Sequence, residues 1–87
     1  MSEEQKDQWI NFGAFMYDAI KISNILGVPA KNVEEIMEHK DSQEMMLYRR
    51  GLDRADYILD MKLFEMAQSG DLKAFDKFNH RRKLRRG

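Results

Sequence analysis

A chain of 87 residues without a single cysteine can hold neither a disulfide nor a thiolate-bound metal, a composition that fits a reducing compartment. Proline occurs once, at Pro29, and β-branched residues hardly cluster. Strands therefore have little support, and an all-helical protein is expected. No apolar run approaches the roughly 20 residues that cross a bilayer. The first residues, MSEEQKDQW, lack the basic start and apolar stretch of a secretory signal. A soluble, intracellular domain with one modest core is the expectation. Catalytic signatures are missing as well: there is no P-loop, no Gly-rich phosphate cradle and no serine or cysteine nucleophile beside a histidine. His39 and His80 lie far apart, each among charged neighbours. Asp53, Asp56 and Asp60 share one helical face at i, i+3 and i+7, but no loop adds further oxygen ligands. They read as a solvated acidic face rather than a divalent-ion site. Arg49, Arg50 and Arg54 lie beside them and are expected to form exposed ion pairs of small value. No enzyme activity, metal or cofactor is expected.

The net charge of zero hides a strong asymmetry. Residues 1–72 hold 8 Lys/Arg against 14 Asp/Glu, a balance of −6, while residues 73–87 hold 7 Lys/Arg against Asp76 alone, a balance of +6. That is the pattern of an acidic body with a cationic arm. Two or three of these cations would suit a helix C-terminus on dipole grounds alone. Arg81, Arg82, Lys83, Arg85 and Arg86 are five within the last seven residues, and they point to a polyanion as partner.

Capping signals divide the chain into helices. Ser2 with Gln5 forms a capping box ahead of Trp9, Ile10, Phe12, Phe15 and Met16, which recur at helical spacing. Asp18 is placed to cap a second helix with Ile20, Ile22, Ile25 and Leu26 on its face, although the first two helices read equally well as one continuous helix through Tyr17. Gly27 ends that segment, and Pro29 enters a third helix at a first-turn position, with Val33, Ile36 and Met37 on its buried face. Asp41 and Glu44 form another capping box, opening a long helix from about Ser42 to Gln68. Gly51 weakens that helix by about 1 kcal/mol without ending it. Ser69-Gly70 stops it, Gly70 taking the left-handed C′ conformation, and Asp71 caps a last helix that runs into the basic cluster.

Residues 19–39 thus read helix, tight turn, helix, the arrangement of a helix-turn-helix. Such a unit offers Lys31 and Asn32 to phosphate and adenine at the start of its second helix. Glu34, Glu35 and Glu38 on the same helix would face phosphate repulsion. In the long helix Met45, Leu52, Leu59 and Met66 repeat every seven residues, with Tyr48 and Ala55 in the second seam position, which suggests coiled-coil-like packing. Lys62 interrupts the seam, while Ile58, Leu63 and Phe64 widen the apolar surface. Self-association through Met45, Tyr48, Leu52, Leu59 and Met66 is expected, since three short helices offer little to cover a helix of this length. The fold expected is all-α: a helix-turn-helix bundle over residues 1–40, then a long helix and a short basic helix over residues 41–87, packed as one compact unit.

The order of these features resembles the phage small terminase subunits that carry an N-terminal helix-turn-helix. ILGVPAKNVEEI at 25–36 is similar to that family's turn and second helix. Asp41, Tyr48 and Gly51 resemble its aspartate-start helix with spaced aromatic and glycine. Leu63, Ala67, Gly70-Asp71, Ala74, Phe78 and Arg81 follow its helix end, Gly-Asp, alanine, aromatic and arginine. The resemblance covers residues 17–82. It implies a non-catalytic, DNA-recognising component of a viral genome-packaging machine in the host cytoplasm. That component assembles into a ring, binds double-stranded DNA and regulates the large terminase subunit. Lys31 and Asn32 would sit at the DNA-facing start of the second helix, and the long helix would pack between subunits. The acidic Glu34, Glu35 and Glu38 depart from that role.

Three functions follow from the sequence. One is the packaging-type DNA binder, with Arg81, Arg82, Lys83, Arg85 and Arg86 on phosphate and the helix-turn-helix giving position. Another is a small helix-turn-helix regulator or protein-binding modulator of a nucleic-acid enzyme. The third is a structural oligomer whose basic arm meets acidic protein surface.

Overall fold

The computed structural model describes residues 1–86. They form five helices in chain order: α1 (Glu3–Ala14), α2 (Ala19–Leu26), α3 (Ala30–Glu38), α4 (Gln43–Gln68) and α5 (Leu72–Arg86). No strand occurs among the described residues, and the fold is all-α. Two compact units make it up, Met1–Ala55 and Asp56–Gly87. The division falls inside α4, whose first half supplies Leu47 and Tyr48 to the first core.

Most helix boundaries follow from local chemistry. At the start of α1 the Ser2 hydroxyl accepts from the Gln5 amide at 3.1 Å, and the Gln5 side chain accepts from the Ser2 amide at 2.9 Å. Two otherwise orphaned donors are satisfied at once. Asp18 caps α2 by accepting from the Lys21 amide at 2.9 Å, so α1 and α2 are separate helices. Gly27 ends α2 in the left-handed region, at φ 70°.

Three boundary expectations need correction. The cap of α4 is Ser42 rather than Asp41: its hydroxyl accepts from the Met45 amide at 3.2 Å and donates to the Ile36 carbonyl at 3.4 Å. Pro29 stands one residue outside α3, as its N-cap, with extended backbone at ψ 141°. Phe15 and Met16 are not on a buried helix face. The chain leaves the helix at Ala14, Met16 turns it with φ 57°, and both side chains stay exposed.

Trp9 and Phe12 of α1, Ile22 of α2, Val33 of α3 and Leu47 of α4 form the core of the first unit. Trp9 and Phe12 meet edge to face with centroids 5.3 Å apart, the geometry favoured by the ring quadrupoles. Of the four expected positions on α2, Ile22 is buried and Leu26 half-buried, while Ile20 and Ile25 face outward. With only eight residues, α2 turns one narrow side to the core. Tyr48 ties the periphery, its hydroxyl donating to the Tyr17 carbonyl at 3.0 Å. Burial, with the nearby Asp18 carboxylate adding to it, raises the Tyr48 phenol above its ordinary value.

Gly51 has a packing reason beyond its helix propensity. A Cβ there would overlap the Ile10 carbonyl, and one on Gly13 would overlap the Tyr48 carbonyl. The backbones of α1 and α4 therefore touch at this crossing. Each helix supplies a glycine where any side chain would push the other away. By propensity alone Gly51→Ala would stabilise a helix by about 1 kcal/mol. Here the sign reverses: Gly51→Ala should destabilise the protein by about 2 kcal/mol, the scale of overpacking, seen as a lower urea midpoint.

Candidate nucleic-acid interface

The second unit is a helical hairpin. At its turn Asp71 donates its amide to the Met66 carbonyl and Gly70 donates to the Ala67 carbonyl, both at 3.1 Å. This is the paired bonding of a Schellman motif, and it uses Gly70 at φ 101°. Asp71 then caps α5, its carboxylate accepting from the Ala74 amide at 3.0 Å. Beyond the turn little apolar surface is fully enclosed: among the described residues of this unit only Leu63 and Ala74 are buried.

What fastens the two helices is charge. Arg81 donates through Nε to Asp60 at 2.7 Å and through Nη2 to Asp56 at 3.3 Å. Arg85 reaches the other Asp60 oxygen at 2.6 Å. One carboxylate thus takes a guanidinium on each oxygen, a charge-assisted arrangement stronger than a neutral hydrogen bond. Burial pushes Asp60 upward, but the hydrogen bonds and charge of Arg81 and Arg85 outweigh it and hold the carboxyl below its ordinary value. Arg81 moves the opposite way: its hydrogen bond to Asp60 raises it, against the opposing effect of burial. The ion pairs of Asp56 and Asp60 among the described residues are with these two arginines. The expected pairing with Arg49, Arg50 and Arg54 is corrected: the α5 arginines occupy Asp56 and Asp60, and Asp53 makes no ion pair among the described residues.

This clamp sorts the basic cluster. Arg81 and Arg85, four residues apart, point at α4. Arg82, Lys83 and Arg86 are exposed and line a groove of about 380 Å³ with Asp76, Asn79 and His80. Among the described residues these three cations make no ion pair. The Arg82 guanidinium lies 5.7 Å from the Phe78 ring centroid, a cation–π contact. The unit as a whole carries 8 Lys/Arg against 5 Asp/Glu, whereas Met1–Ala55 carries 7 against 10.

The remaining sequence candidates sit in the first unit or on the outside of the hairpin. Helices α2 and α3 pack on each other around the turn Gly27-Val28-Pro29. Lys31 and Asn32 are exposed on α3, together with Glu34, Glu35 and Glu38. Asn32 also borders an apolar groove of about 340 Å³ that contains Trp9, Leu26, Val28 and Ile36. The seven-residue seam divides. Met45, Tyr48 and Leu52 are half-buried within the first unit, while Leu59 and Met66 are exposed on the second. Sequence reasoning missed the roles of Asp56 and Asp60.

Compared with known proteins, the chain matches no family model, no curated protein and no solved structure.

Because the folded carboxyl of Asp60 lies below its unfolded value of about 3.9, its contribution is complete above that value. It is lost as pH falls through the lower folded value. The helical circular-dichroism signal should therefore drop in acid, below about pH 4. Asp60→Asn should cost about 1 kcal/mol at neutral pH, the scale of a partly exposed network, and should remove this acid step.

Proposed function

We propose that the protein is a non-catalytic DNA-binding component of small-terminase type, gripping duplex phosphates with the outer face of α5. The observation that carries this reading is the sorting of cations by the Asp60 clamp. Two arginines are spent on holding the helix, which leaves Arg82, Lys83 and Arg86 together on a fixed, exposed surface. Cations grouped on one exposed helix surface attract a polyanion and release its counterions on contact. Phosphate contacts of this kind give affinity and register but no base sequence.

Helix α3 stays off the phosphates in this reading. It is held on the core by Val33, with Lys31 and Asn32 at its start and three glutamates exposed further along. The exposed Leu59 and Met66, with Ile58 beside them, favour a second copy of the chain as a further partner. The packaging role and a contact with the large terminase subunit rest on the resemblance over residues 17–82.

Fluorescence anisotropy of a labelled blunt duplex across a salt series tests the reading. Each neutralised phosphate contributes about 0.9 to the slope of log affinity against log salt. Replacing Arg82, Lys83 and Arg86 together by Gln should therefore remove roughly 2 to 3 units of slope without loss of helix. Absence of duplex binding at low salt would overturn the proposal. The triple change Glu34→Gln, Glu35→Gln and Glu38→Gln should leave affinity unchanged; a gain would place α3 against phosphate.

A further inference from the structure

We propose that the aromatic flank of the hairpin is a slot for an unpaired nucleobase, so that the unit takes single-stranded nucleic acid or a frayed duplex end. The inference rests on the phosphate-binding reading of α5 and adds a second ligand group to it.

Phe64 and Phe78 have centroids 5.5 Å apart and planes inclined by 47°, a splayed pair rather than a closed stack. Phe75 stands beside them, and together they line an opening of about 270 Å³. Phe64 and Phe75 remain 40% and 51% exposed. Flat apolar surface left in water gains from being covered. Bases are flat, and stacking on an aromatic ring suits any of the four.

The rim adds matching chemistry. Gln68 and Asn79 line the opening, and each amide offers both a donor and an acceptor. Such groups meet base edges of either polarity. Asn79 and Arg82 also line the outer cationic groove. A strand whose phosphates follow Arg82, Lys83 and Arg86 would therefore bring a base to the phenylalanines. A base inside a duplex is already stacked and paired, and only an unpaired one can enter. Charge complementarity selects this occupant: Arg82 lines the slot and, with Lys83 and Arg86, the adjoining groove, surroundings that suit a polyanion.

The probe is a labelled oligodeoxythymidylate, compared with the blunt duplex and with anisotropy as readout. Phe75→Ala should weaken binding of the single strand about tenfold, within the worth of one stacked base, and leave the duplex unchanged. Phe75→Tyr should restore the single strand, and Phe75→Leu, apolar but not flat, should not. Helical circular dichroism checks that each variant folds, as expected for a half-exposed position. Equal loss for both nucleic acids, no loss for either, or full rescue by Leu would overturn the slot. So would a Phe75→Ala effect confined to the mass of the protein in sedimentation, which would give the flank to another protein chain. If the duplex still binds while the single strand ignores Phe75, the slot falls and the phosphate reading stands. If neither nucleic acid binds, the phosphate reading falls and the slot with it.

Discussion

The second unit depends on one carboxylate. Asp60 accepts from Arg81 and Arg85 on its two oxygens, and without it α5 would rest on α4 through little more than Leu63, Ala74 and the half-buried Phe78. A two-helix hairpin has too little interior for burial alone to hold it firmly. Electrostatics supplies the difference, and in doing so it fixes the rotation of α5 about its own axis. That rotation decides which basic residues face water. The structural and the proposed binding roles of the basic cluster are thus set by a single choice of helix face.

The first unit is held in another way. Its core is apolar, with Ile22 and Val33 fully enclosed, and its tightest point is the crossing of α1 and α4, where Gly13 and Gly51 bring backbone against backbone. Burial of Val33 fixes α3, whose outward face is dominated by Glu34, Glu35 and Glu38. A helix so placed is well positioned but carries the wrong charge to lie along phosphate. Division of labour between an acidic, well-packed unit and a basic, thinly packed one follows from the residues themselves.

Much of the fold was legible because caps act over three or four residues. Ser2 with Gln5, Asp18, Gly27, Gly70 and Asp71 each announce a boundary through bonds made within their own turn. Asp41 misled because Ser42, next to it, offers a hydroxyl that also reaches the Ile36 carbonyl, a tertiary contact with no local signature. The role of Gly51 was hidden for the same reason: its partner, Ile10, is some forty residues away in sequence. The clamp did leave a trace. Counting outward from the Gly70-Asp71 peptide, Ala67 and Ala74 stand at equal distances, as do Leu63 and Phe78, Asp60 and Arg81, and Asp56 and Arg85. Once a tight hairpin is assumed, opposite charges fall opposite each other. Reading the arginines as one cluster, rather than as two faces of a helix, obscured that register.

The placement of Trp9 has a spectroscopic consequence. It is the only tryptophan in the chain and lies in the core of the first unit, whereas the hairpin contains Tyr57 and three phenylalanines. Emission excited at the red edge of the aromatic band therefore reports on one unit and is blind to the other, while the far-ultraviolet signal counts the helices of both. Denaturation curves followed by the two probes coincide only if the units melt together. Any separation between them measures, without labels or mutations, how much of the stability of the hairpin is its own.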